Sequence, residues 1–319
     1  MLRIHFTGED LARLRLAARP DALWETVLSF HRLRDRRGGR VYGQWRKEAR
    51  TRFGGGARDA RRTLASIVPE RGYFPDFLTP AEGAQGWDEG LAAVRATPEG
   101  RQYGEMALMR GELAQVPPMG VLADALRDYH RAAVAPYWPH LQARVEADRA
   151  ARGRALLDGG ADALLASLPP VLRWRAPVLE ADYPVAREVH LKGRGLRLQP
   201  SFFCQGAPVV LYDPQLPPVL VYPVAHTPPP ALAAVGSPHL GRLVGQTRSV
   251  VLRAIEHGCT TSELARLAGV SLASASQHAC VLREAGLVVT LRHGSAVLHS
   301  LTPLGAALLR GGAAPAPLG

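Results

Sequence analysis

Cysteine, lysine and long apolar runs are what this 319-residue chain has least of. Three cysteines, Cys204, Cys259 and Cys280, are too few and too scattered for a disulfide framework, which points to a reducing compartment. The sequence contains no P-loop, no G-x-S-x-G, no H-E-x-x-H and no C-x-x-C, so the common nucleotide, acyl-transfer and zinc signatures are excluded. No run reaches the roughly 18 apolar residues of a membrane span. The opening MLRIHFTGEDLARLRL has no apolar core of a signal peptide. A cytoplasmic, nucleoid-associated protein without cofactor, and not an enzyme, is the expectation. Lysine appears twice against thirty-seven arginines, and alanine, glycine and proline abound. That skew reads as GC-rich coding rather than as a demand of binding. There is no internal repeat.

What is present starts with charge. A net charge of +11 and a pI near 10.3 suit an anionic partner, although composition alone does not choose nucleic acid over a membrane surface. The length allows two domains with separate cores. The most informative stretch is Thr260–Val289. Thr260 and Glu263 form a T-x-x-E capping box, and Leu264, Leu267 and Ala268 give one apolar edge at helical spacing. Gly269 is placed to end that helix with positive φ, and Ser271 to cap the next. In the second helix Leu272, Ala275, Ala279 and Leu282 form the core stripe. The other side carries Ser274, Gln277, His278 and Val281. A solvated helix face normally carries Lys and Glu, whereas this one is short, polar and uncharged. Serine and glutamine suit phosphates and base edges, and Gln can pair bidentately with adenine. Gly286 closes the helix. Leu287–Leu291 and Ala296–Leu301 read as strands around a hairpin tip at Arg292-His293-Gly294-Ser295. The pattern predicts a helix-turn-helix followed by a wing, a module that lays one helix in the DNA major groove.

Ser276-Gln277-His278, followed by Leu282-Arg283-Glu284-Ala285-Gly286-Leu287-Val288, resembles the recognition helix and strand of the ArsR/SmtB winged-helix repressors. The resemblance covers residues 236–311. MLRIHFTGEDLARLRLA, GRGLRLQPSFF and LVYP further resemble the long ArsR-like regulators of actinobacteria, which carry an extended N-terminal domain. The resemblance implies a homodimeric repressor on double-stranded DNA that lets go when an effector binds. Metal-sensing members place Cys-x-Cys in the helix before the turn, but Thr260 and Ser262 stand at those positions here, with Cys259 alone beside them. Soft-metal sensing needs several converging thiolates, so no metal site is expected. The expected DNA-contact set is Thr261, Ser271, Ser274, Ser276, Gln277, His278, Arg283, Arg292 and His293, with Arg248 near the backbone. In the family, the counterparts of a helix at Leu240–His257 and of another at Pro303–Arg310 surround the dimer interface.

The remainder reads as an α+β N-terminal domain over 1–228, with a disordered tail at 312–319. Leu2–Phe6 is a candidate strand that pairs with the middle of the chain. Thr7 and Asp10 cap a helix to about Ala18, and Pro20-Asp21 opens another that buries Leu23, Val27, Phe30 and Leu33. Arg32–Arg62 holds twelve basic residues against three acids. It reads as a solvated basic face around a loop at Gly54-Gly55-Gly56, with a second phosphate-contacting patch as the alternative. A helix pair over Val121–Asp158 is expected to break near Pro136 and Pro139. Pro177–Ala181, Glu188–Leu191, Leu196–Phe203, Val209–Tyr212 and Val219–Tyr222 read as one antiparallel sheet packed on helices. Thr227–Pro230 reads as a stiff linker.

Chemistry is harder to find. His130 and His140 are separated by two prolines, and His5, His31, His190 and His226 read as isolated surface or core histidines rather than ligands. The aromatics of Tyr129–Trp138, and Trp174 with Tyr183, read as core, or alternatively as the lining of a small-molecule effector pocket. Two other functions stay open at this stage: a winged helix serving protein–protein interaction, which an acidic outer face would favour, and an N-terminal enzyme fused to a DNA-targeting domain, which a cluster of titratable groups would favour.

Overall fold

The computed structural model describes residues 1–319 except 36–37, 55, 71, 111–115, 212, 227–237, 256–257, 294–295 and 312–319. The linker expected at Thr227–Pro230, Tyr212 and the tail at 312–319 therefore lie outside the described residues. The chain is α+β, rich in helix with small sheets, and divides into two compact units. The first comprises Met1–Trp138 and Asp148–Val224, the second Pro139–Ala147 and Ala225–Gly319.

Helices of the first unit are α1 (Gly8–Ala12), α2 (Ala22–Arg34), α3 (Gly39–Thr51), α4 (Gly56–Ile67), α5 (Trp87–Arg95), α6 (Glu99–Arg110), α7 (Met119–Tyr129) and most of α8 (Trp138–Ala166). The Thr7 hydroxyl accepts from Asp10 N–H at 3.2 Å, and the Asp10 carboxylate accepts from Thr7 N–H at 2.8 Å. α1 ends at Ala12, not near Ala18. Arg15 and Ala17 leave the helix to donate backbone hydrogen bonds to Leu196 and Leu198, both at 2.9 Å, and Arg15–Leu16 becomes a strand. Asp21 caps α2, which buries Leu23, Val27, Phe30 and Leu33 as predicted. It also buries Glu25, whose carboxylate accepts from the N–H groups of Phe202 and Phe203 at 2.8 and 3.0 Å.

The basic run is a solvated face only in part: Lys47, Arg50, Arg58, Arg61 and Arg62 are exposed, but other members turn inward. Arg32 and Arg46 are buried and share Asp35, at 3.0 and 3.1 Å. Arg34 donates to the Val68 carbonyl at 2.6 Å, and Arg50 to that of Leu33 at 3.1 Å. These guanidiniums satisfy carbonyls where helices meet, which a lysine's single ammonium would do less well. As expected, the helix pair parts near Pro136 and Pro139: α7 ends at Tyr129, a π-helical turn at His130–Val134 and a 3-10 turn at Ala135–Tyr137 follow, and α8 starts at Trp138. Both prolines occupy first-turn positions, where a missing N–H costs nothing. A second departure from helical geometry lies within α8, at Gly159 and Gly160. The aromatics of Tyr129–Trp138 are largely core: Tyr129 stacks on Phe53 and bonds Ser29, and Tyr137 bonds Glu48.

The predicted antiparallel sheet is instead two mixed sheets. Strands β1 (Leu2–His5), β2 (Arg15–Leu16), β3 (Leu172–Arg175), β4 (Val178–Ala181), β5 (Arg187–His190), β6 (Arg197–Ser201), β7 (Val209–Val210) and β8 (Val219–Pro223) build them in the orders β3-β4-β1-β5 and β2-β6-β8-β7. β1 runs antiparallel to β4 and parallel to β5, and β6 is parallel to both β2 and β8. Leu2, Ile4 and Phe6 point inward with Leu164, Leu165, Leu179, Leu198 and Leu220, so the N-terminal strand is a core element. The alternate residues Arg3 and His5 point outward. Register sets Arg3 opposite Glu180 and Glu188, and His5 opposite His190. The two histidines read as isolated in sequence are neighbours.

The second unit contains α9 (Pro238–Val244), α10 (Gln246–Ala254), α11 (Thr261–Ala268), α12 (Leu272–Glu284) and α13 (Pro303–Gly311), with β9 (Cys259–Thr260), β10 (Val288–His293) and β11 (Ala296–Leu301) ordered β10-β11-β9. The single helix predicted over Leu240–His257 is two, parted at Gly245, whose φ of 87° is available to glycine without strain. Glu256 and His257 lie outside the described residues. Leu240, Val251, Leu252, Ile255, Leu264, Ala275, Ala279, Leu282, Val288 and Leu301 form the core, with Ala306, Leu308 and Leu309 of α13 packed on it.

Candidate nucleic-acid interface

The α11–α12 pair is built from local signals. The Thr260 hydroxyl accepts from Glu263 N–H at 3.3 Å, while Glu263 accepts from Thr260 N–H at 2.9 Å. Gly269 ends α11 in the left-handed region at φ 66°, and its N–H closes onto the Ala265 carbonyl. Ser271 then caps α12, accepting from Ser274 N–H at 3.2 Å. Only Val270 separates the two caps, so the angle between the helices is set by these terminal hydrogen bonds. α12 buries Ala275, Ala279 and Leu282, the first two small enough to bring its backbone close to the core. Leu272, predicted as part of that stripe, is instead 56% exposed. It is the first helical residue, one turn before α12 reaches the core.

The outward face holds Ser274, Gln277, His278 and Val281. Ser274 is partly committed, accepting from the Ser271 hydroxyl at 3.0 Å. Ser276 and Gln277 are exposed and His278 half-buried, and none of the three makes a side-chain hydrogen bond among the described residues. Their donors and acceptors are therefore available to a partner. Arg283 is exposed, with its guanidinium against the Cys280 sulfur at 3.2 Å. Cys280 in turn approaches Glu284, the only acid on α12. Arg248 is exposed on α10.

Thr261 faces inward chemically. Its hydroxyl pairs with Nε2 of His299 at 3.0 Å, and Nδ1 of that ring pairs with the Thr290 hydroxyl, also at 3.0 Å. Burial holds the His299 imidazole below its ordinary range, with Arg283 adding to the effect, so a neutral ring ties α11 to β10 and β11. Sequence reasoning passed over His299, whose only signal is a polar residue on the inward side of a strand. Arg292 and His293, predicted at the hairpin tip, are the last rungs of β10, paired with Val297 and Ala296. Their side chains, like Gly294 and Ser295, lie outside what the structure describes.

Cys259 is buried and its thiol is pushed up to about 12 by burial, with Glu263 reinforcing the shift. A thiol held protonated is a poor metal ligand. His140 belongs to this unit and reaches Ser300 at 3.1 Å. Burial pushes its imidazole down to about 3, helped by the charges of Arg144 and His226. By sequence the second unit carries eight arginines against four glutamates, with no lysine or aspartate.

In the first unit a cavity of about 380 Å³ opens beside β5, lined by apolar Ile4, Val189, Leu196 and Val210 and by basic Arg187 and Lys192. Among the described residues no helix is long and apolar enough to cross a membrane. None of the protein-family models, curated proteins or solved structures compared with this chain matches it.

Proposed function

We propose that the second unit is a winged helix-turn-helix that binds double-stranded DNA, and that the protein is a dimeric transcriptional regulator, a repressor in the ArsR-like manner. The observation that carries this reading is the acid-free outward face of α12, where Ser276, Gln277 and His278 present unpaired polar groups. α12 is the recognition helix, α11 supports it, and β10–β11 is the wing, with Arg292 and His293 at its distal rungs. Ser271, Ser274 and Arg283 flank the reading face, and Arg248 meets the phosphate backbone. Thr261 contributes by holding His299. The dimer is formed through α9, α10 and α13, which leave Leu243, Val250 and Leu304 exposed. Sensing does not use the family's thiolate pair, because Thr260 and Ser262 stand there. A small-molecule effector is assigned to the first unit, where the cavity beside β5 offers apolar walls and cationic groups.

The test is DNA capture from the source genome with purified protein, followed by mobility shift on the recovered fragments and on the gene's own upstream region. Gln277→Ala should weaken binding by about 1–3 kcal/mol, the worth of a bidentate base contact. No shift at low salt on any fragment would remove the reading.

A further inference from the structure

The outward face of the first sheet brings His5 beside two side chains of a strand far from it in sequence. β1 and β5 run parallel with His5 opposite His190, and Glu188 lies two residues before His190 on the same face. The imidazoles of His5 and His190 stack with centroids 4.4 Å apart and planes 13° from parallel. Nε2 of His5 meets the Glu188 carboxylate. One ligand atom from each of the three residues lies within 4.8 Å of the other two. We propose that His5, Glu188 and His190 form a binding site for a single divalent transition-metal ion, zinc foremost.

The chemistry of the donors supports this. Two imidazoles and one carboxylate are a borderline donor set that selects zinc, nickel or copper over magnesium or calcium. Three protein ligands leave a fourth position for water or an exogenous anion, the arrangement of an open zinc site. Zinc holds imidazole nitrogen and carboxylate oxygen at about 2.0–2.2 Å, so the three atoms must converge by rotation of the side chains, of which Glu188 and His190 are exposed and His5 half-buried. The Cα positions need no movement, because ladder hydrogen bonds already fix the strands. The ring nitrogens of His190 have no hydrogen-bond partner among the described residues, so one donor is unused. Arg3 is the competing cation, 3.6 Å from Glu188, yet it also pairs with Glu180 at 3.4 Å. When an ion takes Glu188, Arg3 keeps a carboxylate. Glu188 and His190 also line the cavity beside β5, so the open position lies at its margin.

The site is independent of the DNA-binding reading. Its test uses the full chain, freed of any affinity tag and stripped with a chelator. Zinc is titrated in competition with a chromophoric chelator, and cobalt is added separately for its visible ligand-field bands. The expected result is one ion per chain and a cobalt spectrum of nitrogen and oxygen ligands without thiolate charge transfer. Thermal unfolding should shift upward with zinc, because the ion binds only the folded register. His190→Ala and His5→Ala should each weaken binding by more than the about 10–100-fold typical of losing an outer-sphere partner. Cys280→Ser should leave it unchanged. His190 is exposed on an edge strand, so its variant tests the site even if His5→Ala fails to fold. Zinc affinity unaltered by His190→Ala, a thiolate band with cobalt, or no binding at all would overturn the assignment.

Discussion

Glu25, His31, His130 and His140 are interior residues whose surroundings change their acid–base chemistry within the ordinary pH range. Burial pushes the Glu25 carboxyl up to about 7, so the folded chain holds a proton there that the unfolded chain, at the ordinary 4.5, has lost. That contribution favours the fold below pH 4.5 and fades as pH rises through 7. The histidines act in the opposite sense. Burial lowers His31 and His130 to about 4 and His140 to about 3, against an ordinary 6.5. Their contribution is complete above pH 6.5 and is lost as pH falls towards 4, because the unfolded chain takes up protons the fold refuses. Each interior histidine steepens the loss by at most about 1.4 kcal/mol per pH unit, and three outweigh one carboxyl. The melting temperature should therefore drop between pH 7 and pH 5. A melting temperature that holds or rises over that range would refute the assignment. A second residue of consequence is Gly305, where a Cβ would come within 2.0 Å of the Leu287 carbonyl oxygen. Backbone cannot yield as a side chain does, so Gly305→Ala should destabilise the second unit by about 3 kcal/mol or more, measured by denaturant titration.

At the scale of elements, the α11–α12 pair was legible because its signals are short-range. A capping box spans three residues, and a glycine at the helix end and a serine cap act within one turn. Thr260→Ala removes one hydroxyl that both accepts from Glu263 N–H and donates to its carboxylate. It should cost about 1 kcal/mol of stability while leaving the outward face of α12 unaltered. Stability lost with DNA affinity unchanged fits a purely supporting role, and affinity lost without stability would assign Thr260 a contact of its own. The predicted helix over Leu240–His257 failed for a similarly local reason: Gly245 takes a φ of 87° that a helix cannot contain, and it parts the segment in two. Likewise α1 stopped early because Arg15 and Ala17 found ladder partners in β6. Helix spacing predicts a helix until a strand elsewhere offers better use of the same N–H groups.

At the scale of the molecule, the net charge of +11 is distributed over both units and is largely arginine. In α2 and α3 part of that charge is turned inward onto Asp35 and onto backbone carbonyls, where it is structural, while Arg58, Arg61 and Arg62 of α4 stay exposed. Arg32→Ala should consequently lower stability far more than DNA affinity, since it takes from Asp35 one of its guanidinium partners and from the Gln205 amide oxygen the donor that holds it at 2.7 Å. For the proposed interface, affinity should fall log-linearly with salt, at a slope of about 0.9 per phosphate neutralised. Gln277→Ala should leave that slope unchanged, and Arg248→Ala should lower it by about one. The reverse assignment of slopes would exchange the roles of the two residues.

The sequence by itself determined the helix pair, its caps and its uncharged outward face, because those depend on contacts a few residues long. It also determined the N-terminal strand and most of the short β segments, whose alternation of apolar and polar residues needs no partner to be seen. Pairing was decided only by the tertiary structure. Asp10 accepts from the Gly195 N–H across 185 residues, Glu25 anchors Phe202 and Phe203, and β1 sits between β4 and β5. Nothing in a linear chain states which strand will lie beside which, or in what register. A shift of one residue would have put His5 on the core face and removed it from His190. The chemistry proposed for the first unit therefore exists only because the ladder closed in this register, while the face proposed for DNA was already written in a single helix.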